Sequence, residues 1–90
     1  MAETTALRAV AFIVADEAAR AGLLRMTGIG PDNLRHGLDD PAVLAGVLEF
    51  LLANEPRLLS FCRENGLDPR LPAAAHRRLT RGEGLSDPDL

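Results

Sequence analysis

Residues 40–54, DPAVLAGVLEFLLAN, restrict the fold more than any other stretch of the chain. At about 100° per residue, Val43, Leu44, Val47, Leu48, Phe50, Leu51 and Leu52 spread over roughly 200° of a helical cylinder, twice an ordinary amphipathic stripe. Such a helix has to be covered from more than one side, which predicts a central helix over about residues 41–53 wrapped by its neighbours. Its remaining narrow face holds Ala45, Gly46, Ala53 and one charge, Glu49, small enough to accept a close neighbour. Asp40 serves as N-cap, and Pro41 takes the first helical position, where no N–H is needed.

The flanking segments bring the total to five or six short helices. Thr4 or Thr5 is expected to cap a first helix reaching about Ala15, with Leu7, Val10, Ala11 and Val14 on one face and Phe12 and Ile13 widening it. Asp16 caps a second helix from Glu17 to about Met26, which presents Ala19, Leu23 and Met26 and stops at Gly28. Gly30 and Pro31 start a short helix that carries Leu34 and Leu38 and ends near Gly37. Asn54 caps a helix holding Leu58, Leu59, Phe61 and Cys62, closed by Gly66. After Asp68-Pro69 a turn is expected before regular helix from about Leu71 to Arg81, because Pro72 would interrupt a ladder begun at Pro69.

The class is therefore all-α, a compact bundle around the central helix. Apolar residues make up 47% of the chain, chiefly Leu and Ala, with few β-branched residues to favour sheet. Ninety residues suit one domain, placed over residues 1–81, with the acidic residues 82–90 expected to form a flexible tail.

Sliding the chain against itself by 38 residues aligns AFIVADEAARAGLLRMTGIGP, from Ala11, with EFLLANEPRLLSFCRENGLDP, from Glu49, without a gap. Phe12/Phe50, Ala15/Ala53, Glu17/Glu55, Arg25/Arg63, Gly28/Gly66 and Pro31/Pro69 are identical, and Asp16/Asn54 and Ile29/Leu67 match in role. The shared unit is an apolar helix end, a capped second helix, a Gly stop, an apolar residue and a Pro start, which is compatible with two like halves about a pseudo-two-fold axis.

A net charge of −3 argues against strong non-specific affinity for nucleic acid or anionic membrane. The charge is uneven: residues 70–81 hold four Arg and no acid, and residues 82–90 hold three acids. Arg70, Arg77, Arg78 and Arg81 are the candidate partner-binding residues, with compensation of a helix dipole as the competing explanation. The lone Cys62 excludes an internal disulfide and fits a reducing compartment, and the apolar run Ala9–Ala15 is too short to cross a bilayer. Cytoplasmic localisation is expected. Cys62 lies among Leu58, Leu59 and Phe61 as a core residue would, and His36 and His76 sit near helix ends as surface or capping residues. With no catalytic, metal or cofactor constellation in view, a role other than catalysis is expected.

The turn TGIGPDNL, Thr27 to Leu34, has the Gly-apolar-Gly core of helix-hairpin-helix turns, in which the N–H groups of Gly28, Ile29 and Gly30 would contact a phosphate. Asp32 here and Asp68 in the second copy put carboxylates where a phosphate would approach, and no Lys is present. More broadly, TGIGPDNLR followed by DPAVLAGVLEFLLANEPRLLSFCRENGLDP resembles a family of short, mainly alphaproteobacterial proteins, the domain of unknown function 3572. Its distinctive parts are the TGI-x-P turn, Thr27 to Pro31, and VL-x-FLL-x-x-E, Val47 to Glu55. The resemblance spans about residues 7–80 and implies a small cytoplasmic helical protein, with no activity, ligand or catalytic residue to carry over. The leading expectation is a protein-interaction module, monomeric or homodimeric, acting through the Arg-rich last helix or through apolar surface between the halves. The alternative is nucleic-acid binding through Gly28–Pro31 with the last helix.

Overall fold

The computed structural model describes residues 2–81, so the tail expected over residues 82–90 lies outside the described residues. The chain forms α1 (Ala2–Val14), α2 (Glu17–Thr27), α3 (Pro31–His36), α4 (Pro41–Leu52), α5 (Glu55–Asn65) and α6 (Arg70–Thr80), with no strand among the described residues. The boundaries follow from local chemistry. Side-chain oxygens of Asp16, Asp40 and Asn54 accept the N–H groups of Ala18, Ala42 and Arg57 at 3.1, 2.9 and 3.0 Å, satisfying helix donors that have no partner one turn back. At the other ends of α2 and α5, Gly28 and Gly66 take φ of 78° and 64°, a left-handed conformation that a Cβ disfavours.

Around α4 pack α1, α2, α5 and α6. Leu44, Val47, Leu48 and Leu51 are completely buried there, and Phe50 nearly so, as the breadth of the apolar face requires. The shortest dimension of the molecule is 17 Å, which corresponds to two helix layers about 10 Å apart. In so thin a body even the central helix keeps an outer side, and Val43 and Leu52 are half-buried on it. The small-residue face finds its neighbour in the first turn: a Cβ at Gly46 would lie 2.7 Å from Cδ1 of Ile29. Phe12 meets Phe61 edge-on, with ring centroids 5.5 Å apart, tying α1 to α5. Phe50 in turn lies against Gly22 of α2, within 3.1 Å of where a Cβ would stand, and carries the Arg57 guanidinium 4.8 Å above its ring.

Several details differ from the sequence reading. The first helix is already formed at Ala2, so neither Thr4 nor Thr5 caps it, and Thr5 is buried. Its inner face is Ala2, Ala6, Ala9, Val10 and Ile13, whereas Leu7, Ala11 and Val14 face outward. Alanines let α1 approach α4 and α6 closely, and that contact outweighs the larger but poorly fitting Leu7 stripe. Met26, Leu38 and Leu59 are likewise exposed. Helix α6 begins at Arg70, because its first-turn N–H groups have no intrahelical acceptor and Pro72, buried at the third position, forfeits nothing. Asp68 completes the start: its carboxylate accepts the Arg70 N–H at 2.9 Å and its carbonyl the Leu71 N–H at 2.9 Å.

Candidate functional site

In the TGIGP turn every N–H available to a phosphate already has an acceptor. Gly28 N–H donates to the Leu24 carbonyl at 2.9 Å, Ile29 N–H to Thr27 Oγ1 at 3.1 Å, and Gly30 N–H to Asn33 Oδ1 at 2.9 Å. Thr27 Oγ1 itself donates to the Leu23 carbonyl at 2.7 Å, which fixes it as the acceptor for Ile29. With the Ile29 side chain set against Gly46, the turn is a latch between α2 and α4, and an anion would have to displace these bonds to use it.

Beside the latch is a small apolar pocket of about 230 Å³ between the end of α1, the middle of α2 and α3. Val14, Leu23, Ile29, Pro31 and Leu34 form its walls, and Arg20 and Arg35 reach its edge. Arg20 donates through Nη1 to the Val14 carbonyl, covering the end of α1, where a cation is favoured by the helix dipole. Arg35 pairs with Asp32 at 2.8 Å in a setting that leaves the arginine side chain 65% exposed, so the pair itself adds little stability. Around the same turn three large apolar side chains remain open to water: Val14, Leu24 and Met26, the last two about half exposed. Leu24 lies against Gly30, and Met26 shares a shallow depression with Ile29.

The four arginines near the C-terminus do not act as one group. Arg70 is taken up by Asp68, its Nε and Nη2 donating to the two carboxylate oxygens at 3.1 and 2.8 Å. That bidentate pair holds the Asp68 carboxyl down to about 2. Arg77, Arg78 and Arg81 are exposed at the far end of α6. His76 is half-buried in an open groove lined by Pro41, Ala42, Ala45 and Leu79 together with Asp40, Glu49 and Arg81. His36 turns its Nδ1 back to the Asp32 carbonyl at 3.2 Å, a helix-end contact. Cys62 is buried, and desolvation, with a smaller push from Asp68, raises its thiol above the usual range, which disfavours the thiolate. No helix among the described residues is long and apolar enough to cross a membrane.

The model of the family described as Protein of unknown function (DUF3572) matches residues 1–82 of the chain. The chain belongs to that family. No curated protein and no solved structure matches it. Within this DUF3572 chain the fold separates the sequence candidates: Arg70 is engaged locally, Arg77, Arg78 and Arg81 stay together on α6, and Gly28, Ile29 and Gly30 form the latch. The sequence reading did not single out Arg20 and Arg35. They are 15 positions apart, and only the tertiary structure brings them to one pocket. The available signal was the repeat, since Arg20 stands opposite Leu58 and Arg35 opposite Ala73.

Proposed function

We propose that this protein is a cytoplasmic, bacterial, non-catalytic interaction module that docks another protein on the corner formed by α2, the TGIGP turn and α3. The observation that supports this reading most directly is the apolar pocket itself, with the partly exposed Val14 on its wall and the half-exposed Leu24 against Gly30 beside it. Exposed large apolar side chains scattered singly need no explanation, but a cluster beside a pocket provides the anchor and surround of a docking site. On the other side of Ile29, Met26 adds a deformable, polarisable surface in the neighbouring depression. The arginines of α6 are, on this reading, a secondary surface. Nucleic-acid binding draws no support from the turn, whose donors are already used.

A photo-crosslinking residue placed at Met26 or, separately, at its repeat counterpart Glu64 tests the proposal in the native host. Discrete adducts are expected from position 26 and not from position 64. An adduct at twice the mass of the chain would identify the partner as a second copy, which sedimentation would check. Equal adduct patterns from both positions, or none from position 26, would remove the basis of the reading.

A further inference from the structure

The pocket beside the TGIGP turn also indicates what kind of partner segment it takes. Its volume, about 230 Å³, falls below the roughly 300 to 1,000 Å³ of small-molecule sites and suits a single inserted side chain. Its walls are mostly aliphatic, and of these residues Leu23 and Leu34 are buried and Ile29 is half-buried. In the 38-residue sequence register, Val14, Arg20, Leu23 and Arg35 stand opposite Leu52, Leu58, Phe61 and Ala73. Phe61 is fully buried, and Leu58 packs against the core. In the first half a smaller residue stands in place of Phe61, and two cations stand in place of Leu58 and Ala73.

Neither cation is consumed by its local contact. Arg20 gives Nη1 to the end of α1, and Arg35 gives Nη1 to Asp32, an exposed carboxylate. Each guanidinium has five N–H donors in a planar fork suited to carboxylate, so both keep donors for a second acceptor. An apolar cavity with two guanidinium groups at its edge complements an aliphatic side chain flanked by carboxylates. Among the described residues Asp32 pairs with this edge, and an incoming carboxylate would share Arg35 with it.

We propose that this pocket binds an acidic peptide segment of a partner protein, with one aliphatic side chain seated between Leu23, Ile29 and Leu34 and adjacent carboxylates held by Arg20 and Arg35. The proposal rests on the docking reading above and specifies its ligand. The test is a titration of the full chain, followed by amide resonances, with the blocked peptide acetyl-Asp-Glu-Leu-Asp-Glu-amide. Saturable shifts are expected at Leu23, Ile29, Gly30 and Leu34. The double variant R20Q/R35Q should bind at least about tenfold more weakly while keeping a dispersed spectrum, and affinity should fall as salt rises. R35Q alone, at a largely exposed side chain, supplies the same readout in smaller measure if the double variant is poorly folded.

Equal binding of acetyl-Lys-Lys-Leu-Lys-Lys-amide would overturn the proposal, as would shifts confined to Arg77, Arg78 and Arg81. So would saturable binding of octanoate at the pocket with none of the acidic peptide, which would make the site one for a small fatty acid. If the peptide fails while adducts at position 26 persist, the docking reading stands and only the acidic ligand is lost. If both fail, both are lost.

Discussion

Gly28 and Gly66 stand opposite each other in the 38-residue sequence register, and the two turns agree closely at short range. Both glycines are left-handed, and the residue before each returns a side-chain hydrogen bond to the carbonyl four positions back: Thr27 to Leu23, and Asn65 to Phe61. Beyond the turns the halves part. In the second, α6 runs for 11 residues and packs across both α1 and α4, whereas α3 in the first has only 6 and buries Leu34 alone. Leu24 and Met26 stand half exposed, while their counterparts are the buried Cys62 and the charged Glu64. The second turn leads into a long helix packed across the core, and the first into a short helix beside an open apolar corner. A repeated turn therefore fixes how two helices join and leaves undetermined what covers them.

The most severe way to break this picture is L48D. Leu48 is fully buried in the helix both halves share, so an unpaired carboxylate there should abolish cooperative folding of the whole domain. Retention of native helical signal and spectral dispersion would show that α4 is not the common core. Next come the counterparts Phe61 and Leu23, both essentially fully buried. F61A should cost about 3 to 5 kcal/mol and L23A about 2 to 5 kcal/mol in denaturant unfolding. The phenylalanine should lead because it also loses its edge contact with Phe12. A larger loss at Leu23 would reverse the assignment of the better-filled half.

G28A and G66A make a finer test. Neither glycine has an atom near its missing Cβ, so each substitution should cost only backbone strain, about 1 to 2 kcal/mol, and the same at both sites. A twofold difference in cost would mean that the two turns are not equivalent. The smallest effect should separate the turns by pH, because only the second has the Asp68–Arg70 pair. The Asp68 carboxyl is lowered from 3.8 to about 2, chiefly by its hydrogen bonds to Arg70. Its contribution is therefore complete above about pH 4 and is lost as pH falls toward 2. D68N should be slightly less stable than the parent at neutral pH and converge with it near pH 2.

Much of the fold was legible in the residues. Asp16, Asp40 and Asn54 as caps, Pro31 and Pro41 at helix starts, and Gly28 and Gly66 as stops all mark boundaries through bonds or dihedrals within four residues of themselves. The breadth of the apolar face on α4 likewise required cover on several sides. The candidate site was far less legible. Arg77 and Arg81 drew notice because they are close in sequence, and the Gly-Ile-Gly turn because it has a recognisable pattern. Arg20 and Arg35 lacked both signals, although they share an apolar pocket.

What the sequence decided by itself is the list of helices and most of their boundaries, the starts of α1 and α6 excepted, because capping, proline geometry and left-handed glycine operate over a single turn of chain. Which side of α1 faces inward was settled only by packing: alanines permit a close approach to α4 and α6 that Leu7 and Val14 would prevent. The fitting of Ile29 against Gly46, and the open corner it leaves beside α3, depend on surfaces brought together from distant parts of the chain. Shape complementarity of that kind has no local sequence signature, so the tertiary structure alone reveals it.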